Sequence, residues 1–122
     1  MKEAYQFENL EAWKKAKELT VLVYQLAAKF PNYERYDFCS QIQRAVLSVP
    51  SNIAEGSGRI SYKEKIHFLE IAYGSLMETY CQLLIAVDLN YLTNEDLEQI
   101  KPSIFDTSRL LSGLRRSYEA KL

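Results

Sequence analysis

Four glycines and three prolines in 122 residues leave few places where the chain can turn sharply, so a loop-rich architecture is excluded and long helices are favoured. With 48% hydrophobic residues, a disordered chain is excluded as well. The only two cysteines, Cys39 and Cys81, lack CxxC spacing and fall inside helical patterns, which points to reduced, buried thiols rather than a disulfide or a metal pair. No apolar run approaches the roughly 20 residues that cross a bilayer, and the opening MKEAYQFENLEAWKKAK has no signal-peptide core. No membrane partner is expected, and the expected compartment is the cytoplasm. An excess of positive charge is also missing. Fifteen basic residues face sixteen acidic ones, giving a net charge of −1, whereas sequence-independent nucleic-acid binders usually carry a basic surplus.

What the chain does have is helical periodicity. A first segment, 8–29, places Leu10, Trp13, Ala16, Leu19, Val23, Leu26, Ala27 and Phe30 on a broad apolar face. Pro31 stops it, holds Phe30 extended and makes a turn with Asn32 and Tyr33. A second segment, 34–55, with Asp37 as the alternative start, carries Phe38, Ile42, Ala45, Val49 and Ile53. Pro50 lies inside it and removes a backbone donor, which predicts a kink, or a break between Ser48 and Ser51. Gly56, Ser57 and Gly58 end it, with glycine supplying a left-handed cap. Ser61 and Glu64 have the spacing of a capping box opening a third segment, 62–89, about 40 Å long at ~1.5 Å per residue. Its seam is Leu69, Ala72, Leu76, Thr79, Leu83 and Ala86. Thr93, Asn94, Glu95 and Asp96 cap a fourth, 94–119, carrying Leu97, Ile100, Ile104, Leu111, Leu114 and Tyr118, with a bend expected at Pro102. Short connections make neighbours antiparallel, so 1–122 is expected to form a single all-α domain, an up-down-up-down four-helix bundle.

A second stripe runs through the second segment, one residue out of phase with the apolar one: Gln41, Arg44, Ser48, Asn52 and Glu55. Arg44 inside a bundle is costly unless its guanidinium meets a carboxylate, and Glu78 or Glu55 could supply one. Ser75, Glu78 and Gln82 repeat the same step in the third segment. The expectation is an interhelical network with Arg44 paired to Glu78, in which Arg44→Ala costs on the order of 3 kcal/mol.

Catalytic chemistry finds little support. Glu64-x-x-His67 has the spacing of a carboxylate-bridged di-metal bundle, but such a site needs two of these motifs and His67 is the sole histidine. No Gly-x-Ser-x-Gly elbow exists, and Gly56-Ser57-Gly58-Arg59 lacks the Lys-Ser/Thr ending of a Walker loop. No enzyme activity, metal, cofactor or small-molecule substrate is expected. The glycine loop does lead into the free amides of a helix start, where Arg59 and Lys63 could help dock an RNA phosphate, against the plainer reading of a turn. Arg115, Arg116 and Lys121 form a second basic cluster, against the plainer reading of a solvated face. Nine tyrosines are more than one narrow core can hold, so some are expected to meet a partner.

The string Gln41-Ile42-x-Arg44-Ala45-x-x-Ser48-Val49-x-x-Asn52-Ile53-Ala54-Glu55-Gly56-x-Gly58-Arg59 resembles the signature of the 23S rRNA intervening-sequence protein family. Two further stretches are similar to that family: Phe7-x-x-Leu10-x-x-Trp13-x-x-Ala16, and Phe68-Leu69-x-Ile71-Ala72-x-Gly74-Ser75-Leu76-x-Glu78. The resemblance implies a four-helix bundle continuous but kinked at Pro50. It also implies a non-enzymatic, RNA- or ribosome-associated accessory factor, with a protein-binding scaffold as the alternative. Accessory proteins of diversity-generating retroelements share this bundle, form homopentameric barrels and engage nucleic acid and a reverse transcriptase. By that likeness a homo-oligomer is expected, a pentamer first, with RNA or a nucleic-acid enzyme as partner.

Overall fold

The computed structural model describes residues 4–122; the leader reading above rests in part on residues 1–3, which lie outside the described residues. The described residues form four α-helices: α1 (Glu11–Ala27), α2 (Phe38–Ser57), α3 (Tyr62–Asp88) and α4 (Asn94–Glu119). No strand occurs among the described residues. Each helix packs against the next, and α1 also packs on α4, while the backbones of α1 and α3, and of α2 and α4, stay more than 8 Å apart, Cα to Cα. The cross-section is therefore a square with α1 and α3 on opposite corners. It is the antiparallel four-helix bundle that the apolar periodicity predicts.

Its centre is filled by the expected stripes. Leu19, Val23, Ile42, Val49, Ile53, Leu76, Leu83, Ile104 and Leu111 are essentially solvent-free. Leu10, Trp13, Leu26, Leu114 and Tyr118 pack half-buried at its margins. Boundaries shift where local chemistry overrides periodicity. The first segment is broken at Leu10, whose extended backbone (ψ 126°) separates a short 3-10 turn, Gln6–Asn9, from α1. A 3-10 turn, Asn32–Glu34, follows Pro31, and residues 35–37 turn rather than join α2.

Neither internal proline ends its helix: α2 runs continuously through Pro50 and α4 through Pro102. The predicted break between Ser48 and Ser51 does not occur. Thr20 of α1 points its hydroxyl at the carbonyl oxygen of Val46, 3.4 Å away, which is the acceptor that Pro50 cannot serve.

The glycines act differently from the expected cap. No described glycine has a positive φ, and Gly58 sits at −85°. Gly56 lies inside α2, where a Cβ would stand 2.8 Å from the Phe68 Cβ of α3. Its role is close helix approach. The left-handed cap is instead Asn90 (φ 64°), after α3, where the amides of Asn90 and Tyr91 bond the carbonyls of Val87 and Ala86. Of the two expected helix caps, Thr93–Asp96 closes as a capping box in both directions. Ser61 accepts the Glu64 amide at 3.1 Å, but the return bond from the Glu64 side chain is not made.

Candidate functional site

The polar stripe of α2 lies along its junction with α3, where Gln41, Arg44, Ala45, Ser48, Ser75 and Glu78 line an open groove of about 470 Å³. At its floor, Ser75 Oγ donates to Ser48 Oγ at 2.9 Å, and Asn52 Nδ2 donates to both the Ser48 hydroxyl and its carbonyl at 2.8 Å. This is an interhelical hydroxyl link, half-buried and built by small side chains that let the two helices close together.

The charged members do not join it. Arg44 and Glu78 are both exposed, and no ion pair forms between them. Glu78 receives only the Gln82 amide, at 3.4 Å. Glu55 pairs with Arg59 one turn along, at 2.8 Å, and Gln41 reaches back to Asp37. The buried Arg44–Glu78 bridge is thus corrected. Residues 44 and 78 lie far enough round their helices for water to solvate both charges, which costs less than burying them.

The candidate phosphate-binding residues are dispersed. Arg59 is held by Glu55 and lies 4.6 Å over the Phe68 ring. Lys63 and Arg115 share a shallow depression between α3 and α4 with Glu64, His67, Glu70 and Glu119. Arg115 contacts Glu70 at 3.2 Å and Glu119 at 3.5 Å. Arg116 and Lys121 are exposed at the end of α4 and beyond it. Acids interleave with the bases, so no uninterrupted positive surface results. Among the described residues, no three His, Cys, Asp or Glu side chains converge as metal ligands would.

Periodicity missed the outer surface of α3. From Ile71 to Val87 the helix carries one charge, Glu78, so apolar positions occur all round it and the pattern cannot say which face inward. Ile71, Tyr73, Met77, Leu84, Ile85 and Leu89, on and just beyond this helix, are each about two-fifths to a half exposed. Cys81 lies among them, exposed and free, which corrects its assignment to the core; Cys39 is half-buried, its thiol 3.7 Å from the Ala27 carbonyl oxygen.

Of the nine tyrosines, Tyr91 is the most constrained. Its hydroxyl lies 3.2 Å from that of Tyr33 and donates to Glu34 at 2.7 Å; these bonds, with Tyr33 first, hold the phenol well above its ordinary pKa. Phe30 and Phe38 stack beside it and close one end of the bundle. Tyr118 is also raised, chiefly by burial. No helix among the described residues is long and apolar enough to cross a membrane.

Fold and surface together define a small antiparallel four-helix bundle with a hydroxyl-linked α2–α3 junction. The chain belongs to the 23S rRNA-intervening sequence protein family, whose model matches residues 8–113. Among solved structures it is similar to a protein of unknown function from the S23 ribosomal protein family of Bacteroides thetaiotaomicron VPI-5482. The two share 26% identity over 85% of this chain and 97% of the other, with a TM-score of 0.78. No curated protein matches the chain.

Proposed function

We propose that the chain is a non-enzymatic subunit of a homo-oligomeric cytoplasmic scaffold. The observation that carries this reading is the outer surface of α3. A helix apolar on all sides normally sits where all its sides are covered. Here Ile71, Met77, Leu84 and Ile85 face solvent in the single chain, and each has 38–45% of its surface uncovered. Exposed Val21 and Tyr24 on α1 and Leu47 on α2 add apolar surface on two other helices of the bundle. Two different patches on one chain favour head-to-tail contact, which closes into rings when the rotation allows; the likeness to homopentameric retroelement accessory proteins makes a ring of five the first expectation. Multi-angle light scattering at micromolar concentration tests this. A particle of several 14.2 kDa chains supports the reading, and a monomer rejects it.

The family description favours a second reading, an RNA- or ribosome-associated accessory factor using Arg59, Lys63, Arg115, Arg116 and Lys121. Against it stand the net charge of −1 and the carboxylates already paired with Arg59 and Arg115. Titration of labelled rRNA fragments across a salt series separates the two, since phosphate contacts make affinity fall steeply with salt. Absence of salt-sensitive binding at low ionic strength leaves the protein scaffold alone.

A further inference from the structure

We propose that copies of this chain associate by laying α2 of one copy antiparallel against α3 of the next, with Arg44 ion-paired to Glu78 of the partner subunit. The proposal rests on the scaffold reading and adds the faces and the register. Between Asp37 and Glu55, Arg44 is the only charge on α2; between Glu70 and Asp88, Glu78 is the only charge on α3. Two long helical stretches therefore each keep a single mid-helix charge, of opposite sign, exposed on the surface. Among the described residues neither meets an oppositely charged group.

Their heights along the bundle match. Ser48 and Ser75 touch across the α2–α3 junction. From that contact, Arg44 lies four residues back along α2 and Glu78 three residues forward along α3, about 6 Å and about 4.5 Å in the same direction because the helices are antiparallel. A rotation about an axis parallel to the bundle preserves height. Any ring or pair built on such an axis that brings α2 to α3 of the partner subunit therefore sets Arg44 level with the partner's Glu78. No sliding of one copy past the other is required.

The surroundings suit a close approach. Glu78 is bracketed at seven residues on either side by exposed Ile71 and Ile85, and Arg44 is followed by exposed Leu47 and Ser51. Gly74, one turn from Glu78, is exposed in the middle of α3, and a Cβ there would meet nothing within 4 Å. Glycine inside a helix costs roughly 0.5–1 kcal/mol relative to alanine, and no contact within the chain calls for it. A neighbouring helix seated there would. Shielded by the apolar side chains around them, the two charges would act mainly on register and choice of partner.

Charge reversal tests this. Arg44→Glu and Glu78→Arg are prepared separately, with helicity checked by circular dichroism, and followed by sedimentation velocity across a concentration series alone and mixed in equal amounts. Each alone should need roughly a hundredfold higher concentration to assemble than the unmodified chain. The mixture should assemble at a lower concentration than either variant alone, because the charges at a mixed junction are again opposite; a pair or an even ring regains every junction, and an odd ring keeps one like-charged junction. An ion pair within each chain would not respond to mixing. Single variants that assemble like the unmodified chain, or a mixture that stays dissociated, overturn the proposal while leaving the scaffold reading intact; an unmodified chain that is monomeric overturns the scaffold reading itself. If a reversal prevents folding, Arg44→Gln and Glu78→Gln replace it: weaker assembly of both supports the contact, and unchanged assembly rejects it.

Discussion

Thr20 Oγ1 lies 3.4 Å from the carbonyl oxygen of Val46 and 2.8 Å from that of Ala16, so one α1 hydroxyl bonds its own helix and reaches the acceptor that Pro50 leaves open in α2. Proline at 50 removes the amide that would have bonded residue 46, and that carbonyl is buried between helices. A neighbouring side chain thus helps α2 continue past its proline. Thr20→Val keeps the shape and deletes the hydroxyl. It should lower stability by about 1 kcal/mol, read as a shift in urea midpoint with unchanged slope.

Ser48 accepts from both Asn52 and Ser75, so Ser48→Ala removes the acceptor on which two donors converge. A loss of about 1 kcal/mol is expected. Combining it with Ser75→Ala should cost less than the sum of the two single losses, the mark of a shared bond in a double-mutant cycle.

Gly56 faces Phe68 across the tightest point of the α2–α3 junction, with the Lys65 carbonyl oxygen only 3.3 Å from the position of an added Cβ. Gly56→Ala should therefore destabilise by about 1–3 kcal/mol through forced separation of the helices, despite alanine's better helix propensity. Gly74→Ala, with open space around it, should stabilise the isolated chain slightly. Denaturant melts of the two variants, at concentrations low enough to keep the chain monomeric, should shift in opposite directions.

Asp96 joins α4 to the end of α1. Its carboxylate takes a 2.7 Å bond from Lys29 and bonds from the Thr93 cap, which together hold its pKa below the ordinary 3.8, Lys29 contributing most. A carboxylate that is more acidic folded than unfolded gives its full contribution above the unfolded value and loses it as pH falls through the folded one. Stability should therefore drop below pH 3.8. Asp96→Asn should lower stability at neutral pH and flatten that acid limb, as followed by thermal melts from neutral pH downward.

Much of the bundle was legible in the sequence because a packed helix leaves a periodic trace. Ala16, Leu19, Val23 and Ala27 of the α1 stripe and the α3 seam from Leu69 to Ala86 are buried as the spacing required. The span of α4 was legible as well, because Thr93 and Asp96 close a full capping box at its start. The candidate site was read less well. Spacing placed Gln41, Arg44, Ser48 and Asn52 on one stripe of α2, and the first three do line the groove together with Ser75 and Glu78, with Asn52 bonded to Ser48. It could not fix how far round the helix the stripe turns, and an offset of one residue, about 100°, separates a buried arginine from a solvated one. Cys81 was misplaced for a related reason, since a helix apolar on every side carries no phase.

The sequence alone determined which segments are helical, where α3 and α4 start and that the apolar faces must meet, because those properties depend on local backbone chemistry and on spacing along one chain. Only the tertiary structure decided that Thr20 would reach Val46, that Gly56 would admit Phe68, and that Arg44 and Glu78 would stand at one height without touching. Each of these depends on the relative rotation and axial offset of two helices. Those are set by the packing of all four together, and no single helical stripe records them.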